Sequence, residues 1–166
     1  MCALRGYCFT IGVELALATD VRFAADDTKL AQLEVKRGIY PFGGGTLRLP
    51  AVAGWGNAMK WLLTGDTFDA VEAHRIGLVQ QVVAADAELA ALDAAVDATA
   101  KQLLAGGPHA QREIKALFAQ LEVGPVTPEV IELTAHTISR VRGTDEAREG
   151  FAAFLGKRPA TWIPQG

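Results

Sequence analysis

The chain has 166 residues, half of them hydrophobic and 21% charged, with a formal net charge of −3; this suits one globular domain with a sizeable core and offers no basic footprint for nucleic acid. No run is long and apolar enough to span a membrane. The only cysteines, Cys2 and Cys8, are too few and too close for a disulfide framework, and no Cys/His cluster has metal-ligand spacing, so a reducing cytoplasm is the expected setting.

The N-terminus faintly mimics a signal peptide, with Arg5, an apolar stretch and then Ala16-Leu17-Ala18, but Glu14 lies inside that stretch and Gly12 interrupts it, which rejects the reading. Residues 2–5 already read as the end of a buried strand with no lead-in, as expected of a fragment or a short gene product. Gly6 to Gly12 reads as a turn with glycine at both ends, and residues 12–18 as a helix closed by Thr19-Asp20. Val21 to Ala25, Asp26-Asp27-Thr28 and Lys29 to Gln32 read as strand, turn and strand. Residues 38–45, with Pro41 and a run of glycines, form a loop. Helices are expected over 46–52 and 57–63, the second stopped at Gly65. Asp69 and Glu72 have the spacing of a capping box ahead of a short helix ending at Gly77. Leu78 to Val83 is a strand rich in β-branched residues.

The composition then changes. Residues 86–105 are alanine-rich, with Leu89, Leu92, Val96, Ala100 and Leu103 at helical spacing. Gly106-Gly107-Pro108 ends that helix and opens another over 109–122, which carries Ile114, Leu117, Phe118 and Leu121 on one face. Thr127-Pro128 starts a helix to about Arg142, and Thr144 caps a last one through Leu155. An α/β part over residues 1–84 is thus followed by a helical part over 85–166. The apolar faces of the helices between Asp86 and Leu155 exceed what the short α/β part can cover, so they are expected to build an oligomer.

Two residues carry the chemistry. Glu14 lies in the apolar run from Ile11 to Ala18, and Glu34 between Leu33 and Val35. A carboxylate in such company is costly to ionise unless it is paired, hydrated or put to use. A chain that runs out along a helix and back along strands brings the two positions together. Two carboxylates on one pocket hold a shared proton more readily, which suits general acid and base work. The structural alternatives pair Glu14 with Arg22 or Lys29, and Glu34 with Lys36 or Arg37. His74, His109 and His136 are scattered over helices and read as surface or packing residues; Trp55 and Trp61 read as core. Gly43-Gly44-Gly45 lacks the Lys-Ser/Thr of a phosphate loop and reads as a turn.

The order of several motifs resembles the enoyl-CoA hydratase/isomerase (crotonase) superfamily. The matching pieces are Gly6-Tyr7, Glu14-Leu15-Ala16-Leu17-Ala18-Thr19-Asp20, Leu33-Glu34, Gly38-Ile39-Tyr40-Pro41, Gly44-Gly45-Thr46-Leu47-Arg48-Leu49-Pro50, Leu63-Thr64-Gly65-Asp66, Ala73 to Val79, and Arg148-Glu149-Gly150-Phe151 with Lys157-Arg158. The resemblance spans nearly the whole chain. It implies an α/β fold in which residues 1–84 are the later ββα turns of a crotonase-like spiral, the N-terminal turns missing, and residues 85–166 a helical trimerisation region, giving a homotrimer or a dimer of trimers.

The same resemblance implies a lyase that adds water across the 2,3 double bond of an enoyl-CoA thioester. Glu14 would activate water and Glu34 exchange the proton at C2. The backbone N–H of Ile11, helped by its helix dipole, would stabilise the enolate-like thioester oxygen. Gly12, Pro41 and Phe42 would line the substrate pocket, and Lys157 would reach the CoA phosphate. The partner is an acyl-CoA; CoA being part of the substrate, no separate cofactor and no metal are expected. The chain departs from the family at Thr10-Ile11-Gly12, where three glycines are usual, and at Phe42, which replaces a glycine and is expected to fill the pocket or shift acyl preference. The family's earlier turns carry the other oxyanion amide and much of the adenine pocket. An enoyl-CoA isomerase, another enolate-forming crotonase, or a truncated non-catalytic CoA-binding or interaction protein are the alternatives.

Overall fold

Two successive turns of one pattern open the chain. Strand β1 (Cys2–Leu4), strand β2 (Tyr7–Phe9) and helix α1 (Ile11–Leu17) form the first, and strands β3 (Arg22–Ala25) and β4 (Lys29–Ala31) begin the second. The structure, a computed structural model, describes residues 1–121 and 127–164. Each strand of the second turn runs parallel to its counterpart in the first: Cys2 faces Arg22 and Leu4 faces Ala24 in one sheet, while Tyr7 faces Lys29 and Phe9 faces Ala31 in the other. Consecutive strands therefore belong to different sheets, and β3 and β4 do not pair although only Asp26-Asp27-Thr28 separates them. Thr28 fixes that corner: its hydroxyl, fully buried, donates to the Leu4 carbonyl at 3.1 Å.

Residues 7–9 are a strand rather than part of a turn. Cys8 points inward and Tyr7 outward, and the ladder that makes them a strand comes from β4, distant in the chain. A single 3₁₀ turn (Glu34–Arg37), helix α2 (Gly45–Ala53), helix α3 (Trp55–Thr64), strand β5 (Phe68–Asp69), helix α4 (Ala70–Arg75) and strand β6 (Gln81–Val83) follow. β6 adds to the first sheet, in the order β1-β3-β6, and the two-residue β5 runs antiparallel to β4 in the second, in the order β2-β4-β5. Leu78 and Val79 are buried but precede the strand, their N–H groups turning back to the Ala73 carbonyl at the end of α4. Asp69 caps α4 as its spacing predicts, accepting from the Glu72 N–H at 2.9 Å. Trp61 is core, stacked on Phe68 with ring centroids 4.5 Å apart. Trp55 is not: as the first residue of α3 it faces solvent, 71% exposed.

Val13, Ala16, Leu30, Leu49 and Leu78 lose all their solvent contact in one cluster beneath α1 and α2, which is where the hydrophobic stabilisation of this part concentrates. A smaller cluster joins Phe23 of β3 to Leu92 and Ala95 of helix α5 (Ala90–Ala105). Those contacts place the division of the chain inside α5: the compact units are Met1–Ala98 and Thr99–Gly166, so the division falls later than the change in composition at 84/85. Asp86 stands ahead of α5 and caps it, accepting from the N–H groups of Ala90 and Ala91; these bonds hold its carboxyl below the usual carboxylate range.

The second unit holds helices α6 (Pro108–Gln120), α7 (Pro128–Arg142) and α8 (Asp145–Leu155). Thr127 and Thr144 cap α7 and α8 through their hydroxyls, as their positions predict. Glu146 accepts from the N–H groups of His109 and Ala110, so α8 caps α6. Arg140 grips Glu113 with both guanidinium nitrogens, tying α7 to α6. After α8, Arg158 does the same to Glu149, which also accepts from the Thr161 N–H; these partners pull the Glu149 carboxyl down to about 2. Neither α6 nor α7 buries a residue within the chain. A groove of about 540 Å³ between them is lined by Ile114, Leu117, Ile131 and Ile138. The expected extension of α6 to residue 122 lies outside the described residues. No described helix is long and apolar enough to cross a membrane, and the described residues contain no cluster of three or more His, Cys, Asp or Glu able to hold a metal ion.

Arg22 is the buried cation of the first unit, 5% exposed. Its Nε donates to the Leu78 carbonyl and its Nη1 to the Thr19 carbonyl, joining the end of α1 to the approach to β6. Arg22→Met strands both carbonyls away from water. The expected loss of unfolding free energy is about 2–4 kcal/mol in urea denaturation; a loss near zero shows that the carbonyls find other donors.

Candidate active site

Glu14 is carried on the inward face of α1 beside Val13, Ala16 and Leu17, and is 3% exposed. Its Oε1 accepts the N–H of Gly45, the first residue of α2, at 2.9 Å. The residue before α2, Gly44, has no side chain to cap it. A carboxylate from α1 therefore takes the place of an N-cap side chain, at the positive end of the α2 dipole. The other carboxylate oxygen lies against Gly43, where a Cβ would stand only 2.5 Å from Oε2. No side chain fits there while Glu14 keeps its place.

Glu34 opens the 3₁₀ turn and is 9% exposed. Gln32, which the sequence does not single out, ties it to Thr10. With the Gln32 amide oriented to satisfy both of its atoms, its nitrogen donates to Glu34 Oε2 and to the Thr10 carbonyl, each at 3.2 Å. A Cβ at Gly45 would lie 2.7 Å from the Gln32 amide and 3.1 Å from Glu14 Oε1, so Gly45 borders both Glu14 and the amide that partners Glu34. The available signal was an amide in an otherwise apolar run, Leu30-Ala31-Gln32-Leu33, two residues before Glu34; a buried amide needs partners, and in this fold it finds them in the site.

The turn from β2 into α1 supplies the other part. Thr10 has φ 51° and ψ −116°, a region a β-branched residue enters only under constraint. Its N–H donates to the Ala31 carbonyl at 2.8 Å, and its carbonyl accepts from the Glu14 N–H at 3.2 Å as well as from Gln32. The Thr10 side chain does not cap α1. The N–H groups of Ile11 and Gly12, in the first turn, have no intrahelical acceptor. The site thus combines two buried carboxylates with backbone donors at a helix start, the parts needed to move a proton and to stabilise a developing oxyanion.

Of the remaining expected residues, Pro41 and Ile11 stand beside the glycines that border Glu14, and the others do not. Pro41 is buried with its Cβ against Gly45. Ile11 is half exposed, and its Cδ1 would lie 3.2 Å from a Cβ at Gly43. Gly12 backs onto the Cys8 sulfur. Phe42 is 86% exposed, so its ring stands in solvent and does not fill a pocket over the carboxylates. Lys157 belongs to the second unit, exposed after α8 with φ 49°. The structural pairings for the glutamates are not formed. Arg22 serves carbonyls, Lys36 pairs with Asp66 at 2.9 Å and Arg37 donates to Leu33, leaving neither Glu14 nor Glu34 in an ion pair among the described residues. Both cysteines are free, and burial, with Cys2 adding to it, pushes the Cys8 thiol up to about 11, so it stays protonated.

Residues 1–165 match the family described as Enoyl-CoA hydratase/isomerase. The chain is 37% identical over 158 residues to a probable enoyl-CoA hydratase of Mycobacterium bovis, covering 94% of this chain and 59% of the relative. It is 39% identical over 161 residues to the mitochondrial methylglutaconyl-CoA hydratase of Mus musculus, covering 95% and 50%. A crystal structure of a probable enoyl-CoA hydratase/isomerase from Mycobacterium abscessus superposes with a TM-score of 0.83 at 40% identity, covering 97% of this chain and 60% of that one. The chain spans about half to three fifths of the length of these proteins.

Thr10→Gly removes the strain at the start of α1 without touching a carboxylate. The expected result is a gain of about 1 kcal/mol, seen in calorimetry as a Tm raised by about 2–4 °C. An unchanged or lower Tm shows that the Thr10 side chain contributes packing that offsets its backbone.

Proposed function

We propose that this chain, which belongs to the enoyl-CoA hydratase/isomerase family and has its crotonase fold, adds water across the 2,3 double bond of an enoyl-CoA. The observation that carries the reading is a pair of buried glutamates held by neutral donors, Glu14 by the Gly45 N–H and Glu34 by the Gln32 amide that borders Gly45, with no ion pair to either among the described residues. In this reading Glu14 takes a proton from water as its oxygen bonds to C3. The π electrons move toward the thioester, whose oxygen becomes an enolate oxyanion. Glu34, entering the step as the carboxylic acid, delivers its proton to C2 and leaves as the carboxylate while the carbonyl reforms; the proton taken up by Glu14 returns to Glu34 through solvent once the product leaves. The Ile11 N–H, at the start of α1, is the donor this chain offers that oxyanion; one such donor is typically worth about 10²–10³ in rate. Gly45 holds Glu14 and Gln32 holds Glu34, so neither carboxylate needs to reorient during the reaction.

Glu14→Gln and Glu34→Gln are each expected to lower hydration of crotonyl-CoA by about 10²–10⁴, read as loss of the conjugated thioester absorbance. Activity that survives both substitutions removes the dyad assignment. A folded wild-type chain without turnover would favour a non-catalytic CoA-binding or interaction role.

The second unit supports assembly into a homotrimer or a dimer of trimers. Ile114, Phe118, Ile131 and Ile138 on α6 and α7, and Phe154 and Leu155 on α8, are each more than half exposed, an apolar display that a solitary chain leaves in water. Multi-angle light scattering at micromolar concentration is expected to give three or six times the chain mass of 17.6 kDa; a monomer would count against this assembly.

A further inference from the structure

We propose that Arg48 is a positioning residue for Glu14, an assignment that rests on the hydratase reading for its kinetic consequence but not for its geometry. Arg48 lies one turn into α2 and folds back over the helix start. Its Nη1 donates to the Gly43 carbonyl at 3.1 Å. The guanidinium covers Gly44 so closely that a Cβ there would stand 1.9 Å from Nη1 and 2.9 Å from Cζ. Gly44 adopts φ 109°, a conformation glycine enters freely, so the residue that permits the turn also makes room for the cation.

The place is electrostatically unfavourable for Arg48 on its own account. A cation at a helix N-terminus faces the positive end of the dipole. Arg48 also forms no ion pair among the described residues, so the fold gains nothing obvious by holding it there. Its effect runs through the loop. A Cβ at Gly43 would collide with Glu14 Oε2, the Gly43 carbonyl accepts from Arg48, and two residues on the Gly45 N–H holds Glu14 Oε1. Arg48 thus braces from the solvent side the segment that grips both carboxylate oxygens from within. The guanidinium meets the Gly43 carbonyl and forms no ion pair with Glu14 among the described residues, so Glu14 is steadied without being tied into one.

The test pairs kinetics with ¹⁵N-resolved NMR of the Gly45 amide in the full chain. In the wild type this proton is expected downfield and slow to exchange, and Glu14→Ala, which removes the acceptor, should abolish both properties. Arg48→Met is expected to shift the resonance in the same direction, speed its exchange and lower kcat on crotonyl-CoA about 10- to 100-fold, the size of a sub-ångström misplacement. KM should stay within about twofold. Arg48→Lys, which keeps a charged donor, should restore most of both readouts. A Gly45 amide unchanged in Arg48→Met overturns the assignment whatever the turnover, as does a raised KM with unchanged kcat, which would make Arg48 a substrate contact. If the wild type does not hydrate crotonyl-CoA but the amide responds as described, the hydratase reading fails and the positioning of Glu14 by Arg48 stands.

Discussion

The hydrogen bond from the Gly45 N–H to Glu14 Oε1 is the contact on which the site and the core both depend. It joins the first turn of α2 to a side chain on α1, and those two helices bring Val13, Ala16, Leu17, Leu49 and Ala53 into one apolar cluster. Removing the carboxylate would leave α2 without a cap as well as the site without one of its two buried acids. The reverse also holds: the packing of α2 against α1 sets where the Gly45 N–H points, and so fixes the carboxylate. Few arrangements couple a reactive group this directly to the seating of a helix.

The way both glutamates are held bears on what they can do. Buried carboxylates need compensation, and a lysine or arginine is the common source. Here the donors are a backbone N–H for Glu14 and an amide for Glu34. These satisfy lone pairs without cancelling charge. The cations that could have neutralised them are engaged elsewhere: Arg22 with two carbonyls, Lys36 with Asp66. Thr10 belongs to the same economy of space. Its strained backbone turns the chain sharply enough for one segment to present both the helix start and the carbonyl that orients Gln32.

Much of this was legible in the sequence, and the parts that were not share a cause. Glu14 and Glu34 stood out because charge in an apolar run is costly. The caps at Asp69, Thr127 and Thr144 were read correctly because a cap is local. β2 was hidden because three residues between glycines resemble a turn until β4 supplies the ladder. β5, two residues long, exists only as a partner of β4. Gln32 carried no local mark beyond its polarity; its role comes from Thr10 and Gly45, which the fold brings to it. Trp55 was misread because an aromatic at a helix start looks like core until the direction of the helix is known.

The alternation of strands between two sheets has a consequence for how the chain acquires its structure. Cys2 pairs with Arg22 and Tyr7 with Lys29, so the first ladders wait for a full turn of the chain to be made. Phe23 pairs with Gln81, and Leu30 with Phe68, across far longer loops. Closing such loops is entropically costly before the contacts repay it. Glu14 and Glu34 leave the ribosome before the strands that complete both sheets. During that interval the two carboxylates lie in water, and the apolar faces of α1 and β3 are open to whatever binds nascent chains. Completion of both sheets is therefore a late event in the birth of the molecule, timed by the emergence of β5 and β6 rather than by that of the two carboxylates.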